Sequence, residues 1–172
     1  VSAGLRLNTG GAHLTFGLSP DIAVFSKALG NGYPIGAIIG TSKVMDAAQS
    51  TFISSTNWTE RVGFSAAIAC LRKHKEMNVA THLCQIGEEI QKGWAAAASR
   101  SGLNISVGGI FPLGNFSFNY ENSLSMKALF VQKMLEHGFL SSTLFFPMLV
   151  HTDEHVAKYL QAVEKVFKFI QV

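Results

Sequence analysis

The sequence is short of the features that mark most specialised protein classes. It has two cysteines and four prolines, and only 15% of its residues are charged. The 14 Lys+Arg against 11 Asp+Glu leave a net charge of +3, with no block of like charges. Neither a nucleic-acid-binding patch nor a polybasic membrane anchor is therefore expected. Long hydrophobic runs are missing too. Stretches such as Leu144 to Val150 are far too short to span a bilayer, and Pro147 interrupts that one. Cys70 and Cys84 fit neither a redox C-x-x-C pair nor a zinc spacing. A chain of 172 residues with 48% hydrophobic side chains can build a core without a disulfide staple. A reducing, cytoplasmic setting is the expectation.

What is present is a Gly-rich first part followed by alternating helices and strands, with no repeat or low-complexity tract. Asp21 to Phe25 and Gly36 to Ile39 read as short buried strands joined by the irregular segment Ala28 to Pro34. Val62 to Met77 is rich in good helix formers. Val79 to Ser99 repeats apolar residues at Val79, Leu83, Ile86, Ile90 and Trp94, one face of a second helix. Asn104 to Val107 and Gly114 to Tyr120 read as strands; in the latter Phe116, Phe118 and Tyr120 alternate with polar residues. Ser123 is placed as the N-cap of a helix through His137 that Gly138 closes. Thr152-Asp153-Glu154 opens a last helix whose buried stripe is Val156, Leu160, Val163, Phe167 and Ile170. The six histidines are scattered; His151 and His155, four apart, lack the glutamate of an H-E-x-x-H zinc motif, so no metal is expected.

The segment with the most chemical content is Ser19 to Ala37, S-P-D-I-A-V-F-S-K-A-L-G-N-G-Y-P-I-G-A. Lys27 stands at the end of a short apolar strand, beside Ser26 and before a glycine-rich turn. Backbone can approach a ligand closely there, and burial of the amine would lower its pKa from about 10.4, as an imine-forming lysine requires.

Together with the opening run V-S-A-G-L-R-L-N-T-G-G-A-H, this segment resembles the class III aminotransferases. These are fold-type I pyridoxal-phosphate enzymes that include glutamate-1-semialdehyde aminomutase. The resemblance implies an α/β fold, with the C-terminal part of the cofactor-binding large domain over residues 1–78 and a small α/β C-terminal domain over residues 79–172. It implies that Val1, Gly4 and Arg6 are the tail of the family motif D-E-V-x-x-G-x-R. It makes Lys27 the catalytic lysine that holds pyridoxal 5'-phosphate as a Schiff base. In Ser54 to Gly63, Thr56 lines up with the threonine that binds the phosphate of the neighbouring subunit's cofactor, with Thr59 as the fallback. A homodimer is implied in turn. Trp58, Glu60 and Arg61 are open to two readings, the mouth of a partner's active site or a structural loop.

Pyridoxal chemistry needs a lysine, a carboxylate on the pyridine nitrogen, phosphate anchors and an aromatic stack. The sequence supplies the first and part of the third. By the resemblance, the aspartate belongs to a D-E pair preceding Val1, and the remaining anchors lie further upstream. The chain is thus expected to be the C-terminal portion of a longer enzyme and inactive by itself. Its start, Val1-Ser2-Ala3-Gly4, without initiator Met or signal core, agrees with a processed or partial product. The aminomutase carries an acid in the loop before the last helix, and many class III transaminases carry an arginine there. Leu140 to Met148 supplies neither, which points to a less charged amino donor or carbonyl acceptor. The expected activity is transfer of an amino group between an amine or amino acid and a carbonyl compound. The alternatives are a 2,1-aminomutase and, from a different class, a non-catalytic scaffold that keeps the fold.

Overall fold

The computed structural model describes residues 1–57 and 60–171. Contacts divide the chain into two compact units, Val1–Thr81 and His82–Val172, and each is described by itself.

The first unit is built around a β-hairpin. After two single-turn helices, α1 (Gly4–Leu7) and α2 (Ala12–Thr15), strand β1 (Ile22–Phe25) leads through a 3₁₀ turn at Lys27–Leu29 to strand β2 (Ala37–Gly40). The strands pair antiparallel, Ile22 opposite Gly40 and Phe25 opposite Ala37. Side chains alternate across a strand, so Phe25 turns inward to a small core of Leu5, Leu29 and Ala67, while Ile22 and Val24 stay exposed. Helix α3 (Ser42–Met45) follows β2, and helix α4 (Val62–Glu76) closes the unit. On α4, Ala67, Leu71 and His74 are spaced as one helical face, and all three turn inward. The buried His74 ring meets Thr9, with Nδ1 2.9 Å from the Thr9 hydroxyl. Burial lowers the His74 pKa below the usual histidine value, against a hydrogen bond to the Leu5 backbone that raises it.

In the second unit, helix α5 (Val79–Ser101), which begins in the last residues of the first, runs into strand β3 (Ile105–Gly108). Strand β4 (Gly114–Phe118), helix α6 (Ser123–Glu136), strand β5 (Leu144–Phe145) and helix α7 (Asp153–Ile170) complete it. The three strands form an antiparallel sheet in the order β3-β4-β5. The apolar face of α5 is buried as its spacing predicts, from Leu83 through Ile86 and Ile90 to a fully enclosed Trp94. Val156, Val163 and Phe167 of α7 are likewise buried, with Leu160 and Ile170 packed at the edge of the same core. Phe116 sits at the centre of that core. Its ring meets Trp94, Phe130 and Phe167 edge-on at centroid separations of 5.0, 5.2 and 5.5 Å. Edge-to-face pairs of this kind add to the area each ring buries.

The ends of these elements differ from the sequence reading in places. Ser123 is the first helical residue of α6; Asn122 is the N-cap, and its side chain makes no capping bond. Strand β4 ends at Phe118, and beyond it the Asn119 N–H still donates to the Asn104 carbonyl at 3.0 Å while side chains take the other bonds. The Asn104 N–H donates to the Tyr120 hydroxyl at 2.9 Å, and the Asn119 amide donates to Asn104 Oδ1 at 2.8 Å. Gly138 does close α6, with φ 85. Its N–H donates to the Leu135 carbonyl and that of Phe139 to the Met134 carbonyl, both at 2.9 Å, the paired bonds of a left-handed helix stop. Helix α7 starts on a reciprocal cap between Thr152 and His155. No helix among the described residues is long and apolar enough to cross a membrane.

Candidate active site

Strand β1 delivers the chain to Lys27, which adopts a left-handed backbone with φ 50. For a side-chain-bearing residue this costs about 1–3 kcal/mol and persists only where the surroundings enforce it. The enforcing bonds are present. The Gly30 and Asn31 N–H groups both donate to the Lys27 carbonyl, at 3.2 and 3.1 Å. The Ser26 hydroxyl donates to the Ile35 carbonyl at 3.1 Å, and the Cys70 thiol on α4 donates to the Ala28 carbonyl at 3.0 Å. The turn carrying the lysine is thus tied both to the segment entering β2 and to α4.

The lysine side chain differs from expectation in one respect. It is exposed rather than buried. Its Nζ donates to the Ser2 hydroxyl at 2.6 Å. The opening motif and the lysine strand therefore converge, although Ser2 and Lys27 are 25 positions apart. Gly4 contributes to this meeting: a Cβ there would approach the Phe25 ring to 3.1 Å. Arg6, on the same turn of helix, is half-buried, and burial lowers its pKa.

Thr56 lies in an exposed turn before α4; Trp58 and the fallback Thr59 lie outside the described residues. A cleft of about 460 Å³ in the first unit is lined by Ser26, Gly36, Ser55, Asn57 and Glu60, among others. It brings together the neighbours of Lys27 and of Thr56, while those two side chains are not part of its wall. Glu60 is accounted for structurally. Its carboxylate accepts the N–H of Val62 at 2.6 Å and that of Gly63 at 3.0 Å, and these bonds hold its pKa below the usual carboxylate range. Helix starts leave such N–H groups open to an anion, and here Glu60 has taken two of them.

Ser2 and Cys70 were not legible as site residues, since each acts through one long-range bond that no local pattern signals. His74 had a signal in its spacing from Ala67 and Leu71 on α4. Among the described residues no group of three His, Cys, Asp or Glu side chains could hold a metal ion.

The family model described as Aminotransferase class-III matches residues 3–167. The 2'-deamino-2'-hydroxyneamine transaminase of Streptomyces kanamyceticus is 29% identical over 94% of this chain and 41% of its own length. The aminopentol aminotransferase of Sphingopyxis macrogoltabida is 27% identical over 99% of this chain and 41% of its own length. A glutamate-1-semialdehyde 2,1-aminomutase of Lysinibacillus sphaericus is 29% identical, over 97% of this chain and 43% of its own length. Among solved structures, the FumI protein of Sphingopyxis sp. MTA144, in its PLP internal aldimine form, superposes with a TM-score of 0.92 at 27% identity. That match covers 99% of this chain and 42% of the other. The α/β fold is the one this protein has over the matched residues, and the chain spans about two-fifths of the length of these relatives.

Proposed function

Because the chain belongs to the class III aminotransferase family, we propose that it carries the lysine-bearing part of a pyridoxal-phosphate enzyme with Lys27 as the catalytic residue. The reaction is transfer of an amino group between an amine or amino acid and a carbonyl acceptor. The observation that carries this reading is the enforced left-handed turn at Lys27, with Nζ resting on the Ser2 hydroxyl at 2.6 Å.

The residues present fit the cofactor. Lys27 is exposed and, among the described residues, engaged by a neutral hydroxyl rather than by a carboxylate, so no ion pair competes for its amine. When bound, pyridoxal phosphate supplies an electron sink for negative charge at the substrate carbon. Lys27 would hold it covalently, give way to the substrate amine, and then move a proton at the substrate carbon as base and acid. Ser2 would orient the amine between those steps. Thr56 would offer its hydroxyl to the phosphate in a neighbouring subunit, which makes a homodimer part of the reading. Glu60 occupies the first N–H groups of α4, so that contact falls to Thr56 and its own loop.

Leu140 to Met148 contain no charged side chain, which favours a weakly charged donor or acceptor. The aminomutase alternative begins with the same half-reaction and is supported by the Lysinibacillus relative; the missing acid in that loop weighs against it. A reducing, cytoplasmic setting belongs to the same proposal, and the free thiols of Cys70 and Cys84 agree with it.

The test is spectroscopic. Pyridoxal phosphate added to the chain should develop a visible band that Lys27→Ala lowers strongly and Lys43→Ala leaves largely intact. An unchanged band in Lys27→Ala would overturn the assignment.

A further inference from the structure

Helix α4 carries a buried polar group that the chemistry assigned to Lys27 does not use. Among the described residues of the first unit, His74 is the one buried titratable side chain, 7% exposed. Its Nδ1 lies 2.9 Å from the Thr9 hydroxyl, and the ring also bonds to the Leu5 backbone. That second bond favours the charged ring, so the ring donates it, to the Leu5 carbonyl. Burial outweighs it and lowers the pKa, which leaves a neutral imidazole bonded to a hydroxyl and to main chain. A buried polar group must find such partners, and the two it has found both lie in the opening segment.

That segment presents Ser2 to the lysine. Helix α1 is a single turn without a side-chain cap, and so short a helix keeps its place through tertiary contacts rather than propensity. Leu5 anchors it twice, by a side chain that shares a core with Leu29 and Ala67 and by the backbone bond from His74. The Arg6 and Leu7 N–H groups donate to the Ala3 carbonyl at 3.1 and 3.3 Å, which carries the anchorage to the residue next to Ser2. The Ser2 hydroxyl then accepts from Lys27 Nζ at 2.6 Å. The lysine turn rests on the same helix, through Leu29 in that core and through the Cys70 thiol, which donates to the Ala28 carbonyl at 3.0 Å. Ala67, Cys70 and His74 are spaced as one face of α4. The two sides of the Ser2–Lys27 contact are therefore fixed to one helix by separate bonds, from Cys70 on the lysine side and from His74 on the serine side.

We propose that His74 is a positioning residue for the reaction at Lys27: by bonding to Leu5 and Thr9 it seats the opening segment on α4 so that the Ser2 hydroxyl meets the lysine amine. This rests on the reading of Lys27 as the cofactor lysine, while the contact it describes exists without cofactor. Loss of the ring releases Ser2 and not Lys27, because the lysine turn keeps its own ties to Ile35 and Cys70. His74 thus acts through Ser2 and touches neither the amine nor the cofactor.

The experiment has two readouts on the 172-residue chain. One is the nuclear Overhauser contact between the Ser2 β protons and the Lys27 ε protons without cofactor. The other is the ratio of Lys27 to Lys43 labelling by pyridoxal phosphate and borohydride. His74→Leu, apolar and of similar bulk, should lose the contact and lower the ratio about fivefold, the worth of one hydrogen bond. His74→Asn holds an amide where Nδ1 stood and should keep the contact, with a ratio within about twofold of the parent. Thr9→Val removes only the hydroxyl partner; it should lower the ratio about threefold, and it decides the matter if His74→Leu does not fold. Ser2→Ala combined with His74→Leu should label no less than Ser2→Ala alone, as expected of residues acting in series. Thr152→Ala, which removes a cap in the second unit, should leave both readouts unchanged. A His74→Leu chain with the parent's contact and ratio would overturn the proposal. So would additive effects of Ser2→Ala and His74→Leu, or an equal loss of the ratio in Thr152→Ala. Label spread evenly over the parent's lysines would overturn the reading of Lys27 instead, with the Overhauser contact still deciding for or against His74.

Discussion

Replacing Gly87 by alanine sets helix propensity against packing, and the structure decides the sign. Gly87 lies inside α5, where Gly→Ala alone would stabilise by about 1 kcal/mol. A Cβ at Gly87, however, would lie 1.8 Å from the Phe111 carbonyl oxygen and 2.4 Å from its carbon. Phe111 opens the 3₁₀ turn that carries the fully buried Pro112 into β4. To restore an ordinary separation of about 3.5 Å that turn must retreat by roughly 1.7 Å, which disturbs Pro112 and the Gln91 amide bonds to the carbonyls of Gly109 and Ile110. Overpacking costs about 1–3 kcal/mol, occasionally more, and an obstacle of backbone rather than of flexible side chain puts this case at the upper end. The net expectation is destabilisation by about 2 kcal/mol. In a domain of this size each kcal/mol moves Tm by about 4–8 °C, so thermal melts followed by circular dichroism should show a fall of roughly 8–16 °C. A Gly87→Ala variant that melts at or above the parent temperature would refute the close approach of Phe111 to α5.

Phe130→Ala removes a fully buried ring from the cluster around Phe116, and urea titration should show a loss of about 3–5 kcal/mol. Thr152→Ala removes the hydroxyl that caps α7 and should cost about 1 kcal/mol by the same measurement. His74 gives a pH dependence: its folded pKa lies below the unfolded value, so the folded state favours the neutral ring. Its contribution is complete above the unfolded pKa and declines as pH falls from there toward the folded pKa. The urea midpoint should drop on acidification through that window, and a His74→Gln variant should show a shallower drop.

Periodicity made the long elements legible. The buried faces of α5 and α7 could be read from Leu83, Ile86, Ile90 and Trp94, and from Val156, Val163 and Phe167, because each helix repeats its apolar stripe over several turns. The single-turn helices α1, α2 and α3 and the two-residue β5 are too short to show a period, and they form where tertiary contacts require them. The position of Lys27 at a strand end followed from the D-I-A-V-F run and the glycines beyond it. Its left-handed backbone and its contacts with Ser2 and, through Ala28, with Cys70 did not, because these join residues 25 and 42 positions apart. Its exposure was not legible either, since the same pattern of strand and turn suits a lysine turned toward the core or away from it. The N-cap of α6 lies one residue before Ser123, since Asn122 and Ser123 both suit a cap and only backbone angles distinguish them.

The most direct test of Lys27 as the cofactor lysine is borohydride reduction of the chain in the presence of pyridoxal phosphate, followed by peptide mass mapping. The account predicts that the reduced pyridoxyl group concentrates on Lys27, ahead of exposed lysines such as Lys43, and that substitution of Ser2 by alanine lowers that yield. Label spread evenly over the surface lysines, with Lys27 no more reactive than Lys43, would contradict it.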